Sequence, residues 1–274
     1  MTDTLIILAG GASSRMKKSI DPNLSPEKSA QANLRSKGLI EVAGRPFLSY
    51  LLDNVLKAGF KDVLIITGEN SELFRSTYEK NKDFLKLNIN FATQYIPKGR
   101  VKPFGTADAV YQALIQYPEL KNKKFCVCNS DNLYSTNVFR LLKESNHEQA
   151  LIAYDRDKLL YPKERIIRFA IMRFIENYQL TEIIEKPKEG KISEYVDKEK
   201  KVRISMNIFL FSGKVFFKYL EDCPIHPLRD EKELPSAIMN MIADNHKLFG
   251  IPVGENVPDL TSKEDISILE DYLN

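Results

Sequence analysis

Along the chain, short runs that are apolar throughout alternate with stretches in which apolar residues return every three or four positions. The run "TLIILA" (residues 4–9) leaves no polar face and stops at Gly10-Gly11, which predicts a buried strand. In "RPFLSYLLDNVLKAGF" the apolar positions 47, 48, 51, 52, 55 and 56 mark one helical face. That helix opens at Pro46, where proline is tolerated, and closes at Gly59. The same logic reads "DVLIITGEN" as a strand, "SELFRSTYEKN" as a helix N-capped by Ser71, and "LNINFATQY" as a strand. "GTADAVYQALIQY" then reads as a helix and "KFCVCNSDN" as a strand. Buried strands separated by helices predict a parallel sheet covered on both faces. Ligands of such sheets sit beyond the carboxyl ends of the strands, so the residues just after each apolar run carry the most information.

Beyond about residue 150 the texture changes. "RFAIMRFIENYQLTEIIEKP" predicts two strands around the turn "ENYQ", and "VRISMNIFLFS" one further strand. "GKVFFKYLED" and "DEKELPSAIMNMIADN" predict helices, "KLFGIPVGE" a strand and "SKEDISILEDYL" a last helix. No internal repeat or low-complexity tract is visible. Residues 17–36, 97–103 and 186–201 are rich in charge and turn formers, which predicts loops; whether the first two close over a substrate stays open.

Composition narrows the classes. The chain has 274 residues, 43% of them hydrophobic and 28% charged, with 40 basic and 37 acidic side chains for a net charge of +3. So small an excess argues against nucleic acid or an anionic membrane as partner. The cysteines, Cys126, Cys128 and Cys223, form no disulfide framework and read as packing residues. No run approaches the ~20 apolar residues that span a bilayer, and the N-terminus lacks a basic leader. The expectation is a soluble protein of a reducing compartment, the cytoplasm.

The glycine pair then raises a chemical question. A P-loop ends in Gly-Lys-Ser/Thr, so that lysine and hydroxyl reach the phosphates and magnesium, and "GGASSRM" has no such ending. A dinucleotide loop needs G-x-G-x-x-G opening a helix, and only the paired glycines are present. What remains is a small-residue loop followed by Arg15 and Lys37. In "LAGGASSRM" and "KGLIEVAGRPFL" the chain resembles the sugar-1-phosphate nucleotidyltransferases. "FGTADAV", "NSDNLY", "EKP" (185–187), "SMNIFLF" and "VPDLTSKEDI" follow that family's order. The chain departs from the pattern at Ser13, where glycine is usual, although molybdopterin guanylyltransferases have a similar "GGxSSRM" loop. It departs again in the 22-residue spacing of Arg15 and Lys37, in the extra "KGRVKP", at Ala170 and at Val257.

The resemblance implies an α/β fold, a Rossmann-like mixed but mainly parallel sheet with helices on both faces and a smaller β-rich sugar-binding part. It implies a single domain over 1–274, with a nucleotide-binding half (1–150) and a sugar-binding half (151–274). The implied reaction is attack of a sugar 1-phosphate on the α-phosphorus of a nucleoside triphosphate, releasing pyrophosphate. Two anions must meet, and at ~4 Å and an effective dielectric of about 20 each unit pair repels by roughly 4 kcal/mol. The site must cancel that repulsion and align the groups. No protein nucleophile is needed, which suits a chain whose only histidines are His147, His226 and His246.

By the same resemblance, Arg15 and Lys37 are the catalytic cations, the first on the triphosphate tail, the second at the α- or the attacking phosphate. The backbone at Ala9, Gly10 and Gly11 faces the nucleotide. Gln94, Gly105 and Thr106 read the base, with a pyrimidine weakly favoured because the Gln94 amide offers donor and acceptor together. Asp131 and Asp259 hold Mg2+, which prefers carboxylate and phosphate oxygens. Glu185, Lys186 and Asn207 hold the sugar phosphate. The blander readings are solvated cations for Arg15 and Lys37, a helix cap for Asp131, an Asx turn for Asp259 and a blunted strand edge at 185–187. Competing functions are transfer to phosphocholine or a molybdopterin, a glycosyltransferase of similar sheet architecture, and a nucleotide-binding module without turnover. Oligomeric state is open.

Overall fold

The structure is a computed structural model that describes residues 2–185, 187 and 189–273. In chain order the first half contains β1 (Thr4–Leu8), α1 (Ser14–Lys18), α2 (Pro26–Leu34), β2 (Glu41–Val42), β3 (Arg45–Pro46), α3 (Phe47–Lys57) and β4 (Asp62–Thr67). It continues with α4 (Glu72–Tyr78), β5 (Asn88–Thr93), α5 (Thr106–Gln116), β6 (Lys124–Asn129) and α6 (Thr136–Lys143). The second half contains β7 (Ala150–Asp155), α7 (Lys163–Ile166), β8 (Ile171–Phe174), β9 (Leu180–Ile184), β10 (Arg203–Ile204) and β11 (Ile208–Ser212). It ends with α8 (Gly213–Glu221), α9 (Leu234–Ala243), β12 (Phe249–Val253) and α10 (Glu264–Leu273).

Ten strands from both halves form one sheet in the order β5-β4-β1-β6-β11-β7-β10-β8-β9, with β12 also paired to β7. The strands β5, β4, β1 and β6 are mutually parallel, and β12 lies parallel to β7. The pairings of β11 with β6 and β7, and those among β7, β10, β8 and β9, are antiparallel. The expected mixed, mainly parallel α/β sheet is what forms. Successive strand residues point to opposite faces, so each buried strand feeds two cores. Leu5, Ile7, Val63, Ile65, Cys126 and Cys128 pack with the apolar faces of α3, α4 and α6. Ile6, Leu64, Ile66, Phe125 and Val127 pack with α5, α8 and α9. Leu5, Ile6 and Ile7 are fully buried, each side chain contributing roughly 1.5–3 kcal/mol relative to exposure. All three cysteines are buried and unpaired, and burial pushes the thiols of Cys126 and Cys223 up, away from reactivity.

The sequence reading needs correction in four places. Residues 17–36 are not all loop: α2 is capped by the Ser25 hydroxyl, which accepts from the Lys28 amide, and buries Ala32. A third apolar cluster joins Met16 of α1 and Ala32 of α2 to Ile40, Val42, Phe47, Leu260, Ile266 and Leu269, while Lys28 meets Glu270 at 2.6 Å. This polar stretch therefore becomes helical through tertiary partners, among them residues 260–270 at the other end of the chain. Ser71 precedes α4 but its side chain makes no cap bond; it accepts from the Arg75 guanidinium instead. "VRISMNIFLFS" is two strands, broken at Asn207, whose φ of 56° is left-handed. The helix predicted from "DEKELPSAIMNMIADN" begins only at Leu234, because Ile225 and Lys232 pair in a hairpin. Among the described residues no helix is long and apolar enough to cross a membrane.

Candidate functional site

Between β1 and β6 the chain's progression across the sheet reverses, since β4 and β5 follow β1 on one side and β6 lies on the other. Such switch points leave a crevice at the carboxyl ends of the strands. A cavity of about 400 Å³ opens there, within the range of small-molecule pockets. Its walls are the loop from Leu8 to Arg15, Lys37, Ile66, Gln94, residues 102–103 and 105–106, Ala109, residues 129–131, and Glu231. Arg15, Lys37, Asp131, Gln94 and the glycine loop thus share one cavity.

The loop owes its shape to close approach. A side chain on Gly10 would press on the backbone of Thr67 and Gly68 at 3.3 Å, while Gly11 faces open space. Ala9 lines the cavity, but its amide donates to the Ile66 carbonyl at 2.8 Å and is not available to a ligand. Ala9 ends the predicted strand and its amide is spent in the ladder, so of the three residues expected to face the nucleotide only Gly10 and Gly11 keep amides for a ligand. Ser13 adopts the left-handed region (φ 55°, ψ 28°), where glycine would be at ease, and its conformation launches α1. Arg15, on α1, is exposed at the cavity and has no carboxylate partner among the described residues.

On the floor, the Lys37 ammonium meets the Asp131 carboxylate at 2.8 Å, with side-chain exposures of 12% and 26%. Asp131 does not cap the following helix, since Ser135 does that by accepting from the Val138 amide. Asp259 lies beside it: Asn132 and Asp259 form an antiparallel bridge, and the Leu260 amide donates to the Asp131 carbonyl at 2.7 Å. Burial raises the Asp259 carboxyl, Arg165 opposes the rise, and Asp131 and Asp265 add to it, so its pKa is pushed up to about 6. The Asp131 charge is felt at Asp259, and a divalent cation, which takes carboxylate oxygens, would relieve that repulsion if both held it. Each faces a cation of the protein, Asp131 facing Lys37 and Asp259 facing Arg165.

At the other end of the cavity the Gln94 side chain, only 3% exposed, donates to the Gly105 carbonyl at 2.9 Å and to Asp108 at 2.8 Å. Both amide donors are engaged, so only the Gln94 carbonyl oxygen is open to a ligand, in place of the donor–acceptor pair the sequence suggested. Gly105 has a structural duty as well. Its φ is 101°, and any Cβ there would overlap the Lys232 carbonyl. Thr106 accepts from the Leu234 amide, tying α5 to α9. The insertion at residues 98–103 is fastened to the 225–232 hairpin by Arg100 with Asp230 and Lys102 with Glu231, and the last pair lines the cavity.

Of the remaining sequence candidates, Glu185 and Asn207 are not among the residues lining this cavity. Glu185 follows β9 and pairs with Arg229, which also pairs with Glu233. Glu185, His226 and Glu233 offer ligand atoms within 4.8 Å of one another, but the Arg229 guanidinium bridges the two carboxylates and supplies the positive charge there. The His226 Nδ1 accepts from two backbone amides. Asn207 is exposed where β11 begins; Ile208 pairs with Cys128 of β6, so Asn207 sits at the same sheet edge as Asn129 and Ser130. Lys186 lies outside the described residues. Sequence reasoning missed Arg165, Asp265, Lys102 and Glu231. Only the "SKED" cap pattern hinted at Asp265, which accepts from the Thr261 and Ser262 amides.

The profile of the nucleotidyl transferase family matches residues 4–254. The chain is 25% identical over 248 residues to the bifunctional protein GlmU of Staphylococcus haemolyticus, covering 89% of this chain and 46% of that protein. It is 22% identical over 274 residues to the glucose-1-phosphate adenylyltransferase of Hydrogenovibrio crunogenus, covering 97% of this chain and 60% of the relative. The chain thus spans about half the length of the curated relatives it matches. A UDP-glucose pyrophosphorylase crystallised with UDP-glucose superposes with a TM-score of 0.72 over 100% of this chain and 98% of that one, at 14% identity. That likeness speaks for the fold alone.

Proposed function

Since the chain belongs to the nucleotidyl transferase family, we propose that it transfers a nucleotidyl group from a nucleoside triphosphate to a sugar 1-phosphate, releasing pyrophosphate. The observation that carries this reading is the meeting of Arg15, Lys37, Asp131 and the Gly10–Gly11 backbone around one cavity at the β1–β6 switch point. The catalytic demand is to bring two anions together in line, and this is where positive groups converge. Arg15, exposed at the rim, takes the triphosphate tail with its planar fork. Lys37, anchored on Asp131, is poised to exchange that carboxylate for a phosphate oxygen. The Gly10 and Gly11 amides approach the nucleotide without side chains in the way. Asp131 and Asp259 would hold Mg2+. When bound, the ion neutralises phosphate charge.

Gln94 supports a base that brings its own N–H, because only its carbonyl oxygen is open. The N3–H of uracil or thymine meets that need, but so do the N–H groups of adenine, guanine and cytosine, so Gln94 does not select the base and no pyrimidine preference rests on it. Glu185, Lys186 and Asn207 form the proposed acceptor side, in keeping with relatives named for glucose 1-phosphate. The test is direct: incubate the chain with each nucleoside triphosphate, Mg2+ and a panel of sugar 1-phosphates, and measure pyrophosphate. Release that requires a sugar phosphate supports the reading; release with phosphocholine, or transfer from a nucleotide-sugar, would replace it.

A further inference from the structure

Arg165 is the residue at this site with the least sequence warning and the most distinctive geometry. It sits on the four-residue helix α7 and reaches Asp259, whose backbone bridges to Asn132, the neighbour of the cavity residue Asp131. One Nη donates to Asp259; the other meets Asp265 at 2.6 Å. Its two partners differ in kind. Asp265, 5% exposed at the side chain, also accepts from the amides of Thr261 at 2.8 Å and Ser262 at 2.6 Å, so it cannot turn away. Asp259 is held on its carboxylate side by Arg165 alone among the described residues, and its backbone bridges to Asn132, beside Asp131. The guanidinium lies over the Tyr161 ring at 4.7 Å, a surface along which it can shift while keeping contact.

The charges explain why this matters. Asp131, Asp259 and Asp265 carry three negative charges against the two positive charges of Lys37 and Arg165. A divalent cation added alone would confront Lys37 and Arg165 on the two carboxylates it needs. The same cation arriving with a triphosphate brings acceptors for both displaced protein cations. Resting on the reading of Asp131 and Asp259 as metal-binding residues, we propose that Arg165 is a resident competitor for the metal: anchored by Asp265, it covers Asp259 until nucleotide arrives. It thereby couples metal binding to nucleotide binding and acts as a positioning residue for Asp259.

The test is Mn2+ binding, followed by paramagnetic resonance at pH 8, with and without an α,β-methylene nucleoside triphosphate. Arg165→Gln should bind Mn2+ at least about tenfold more tightly than the parent without nucleotide, a coupling of ordinary allosteric size. That advantage should fall below about threefold once the analogue is bound. Asp265→Asn, which frees Arg165 to serve Asp259 alone, should bind Mn2+ more weakly than the parent and keeps the proposal open to refutation should Arg165→Gln not fold. Unchanged or weaker binding in Arg165→Gln, the same gain with and without nucleotide, or tighter binding in Asp265→Asn would each overturn it. Asp131→Asn separates the two layers. If that variant retains parental Mn2+ binding, the metal assignment itself fails; if it loses Mn2+ while Arg165→Gln behaves as the parent, only the role of Arg165 fails.

Discussion

The two ends of the site are built on different physics. At the β1–β6 end, strand termini fix a loop, and the groups that face the cavity are left with open valences: the Gly10 and Gly11 amides, the Arg15 guanidinium and the Gln94 carbonyl oxygen. At the β8–β9 end, charges are matched among themselves. Glu185 and Glu233 share Arg229, and Arg203 meets Asp197 at 2.5 Å and Glu199 at 2.7 Å. The first end offers an anion free donors, with only Lys37 having to leave Asp131; at the second, the carboxylates are already paired and must exchange partners to admit a ligand. The contrast suggests that affinity for the triphosphate is preorganised, and that acceptor recognition carries a reorganisation cost.

The severest way to probe the preorganised end is Asp131→Asn, which should lower the rate of pyrophosphate release by about a thousandfold or more while the circular dichroism spectrum stays that of the parent. Near-parental rates would dissolve the distinction between the ends, because the floor would then hold nothing essential. Next in size, Gln94→Leu should raise the KM for the triphosphate by roughly a hundredfold, since the Gly105 carbonyl loses its donor and Asp108 keeps only that from Gln112. At the charge-matched end, Glu185→Ala should raise the KM for the sugar phosphate about tenfold and leave that for the triphosphate unmoved. A shift in the triphosphate constant instead would show that the two ends are not separate.

The pH dependence sharpens the picture further. Asp259 has a pKa pushed up to about 6, against an ordinary value of 3.8. The folded chain therefore binds more protons than the unfolded one between these values, and stability without metal falls as pH rises through that window, by about 3 kcal/mol in all. Asp259→Asn should flatten the slope in chemical denaturation. Because a metal needs the carboxylate, Mn2+ binding should strengthen as pH passes 6. The smallest effect expected is at Ser13, whose left-handed backbone costs roughly 1 kcal/mol. Ser13→Gly should raise stability by about that amount, read from the denaturation midpoint, without changing the acceptor constant.

Much of the frame was legible because it is local. Wholly apolar runs specify buried strands whatever surrounds them, and Gly-Gly after the first of these marks where backbone approaches closely. The residues that end those runs, from Gly10 to Asp131, were identifiable because strand ends are where such sheets bind ligands. Other features depended on partners the local pattern cannot see. Residues 26–34 became a helix because Ala32 is covered by the apolar cluster that includes Leu269. Gly105 reads as a base-facing glycine, yet its necessity comes from the Lys232 carbonyl.

By itself, then, the order of apolar and small residues determined the buried strands, the helices between them and the strand ends where a ligand would sit, since periodicity and turn chemistry act over a few residues; the charges expected there came from the resemblance to a family. Only the tertiary structure decided which charges neutralise which. Lys37 meets Asp131, Arg165 meets Asp259, and Gln94 turns its donors inward. Electrostatic pairing depends on distance in space and on burial, and neither is written in the spacing of residues along a chain.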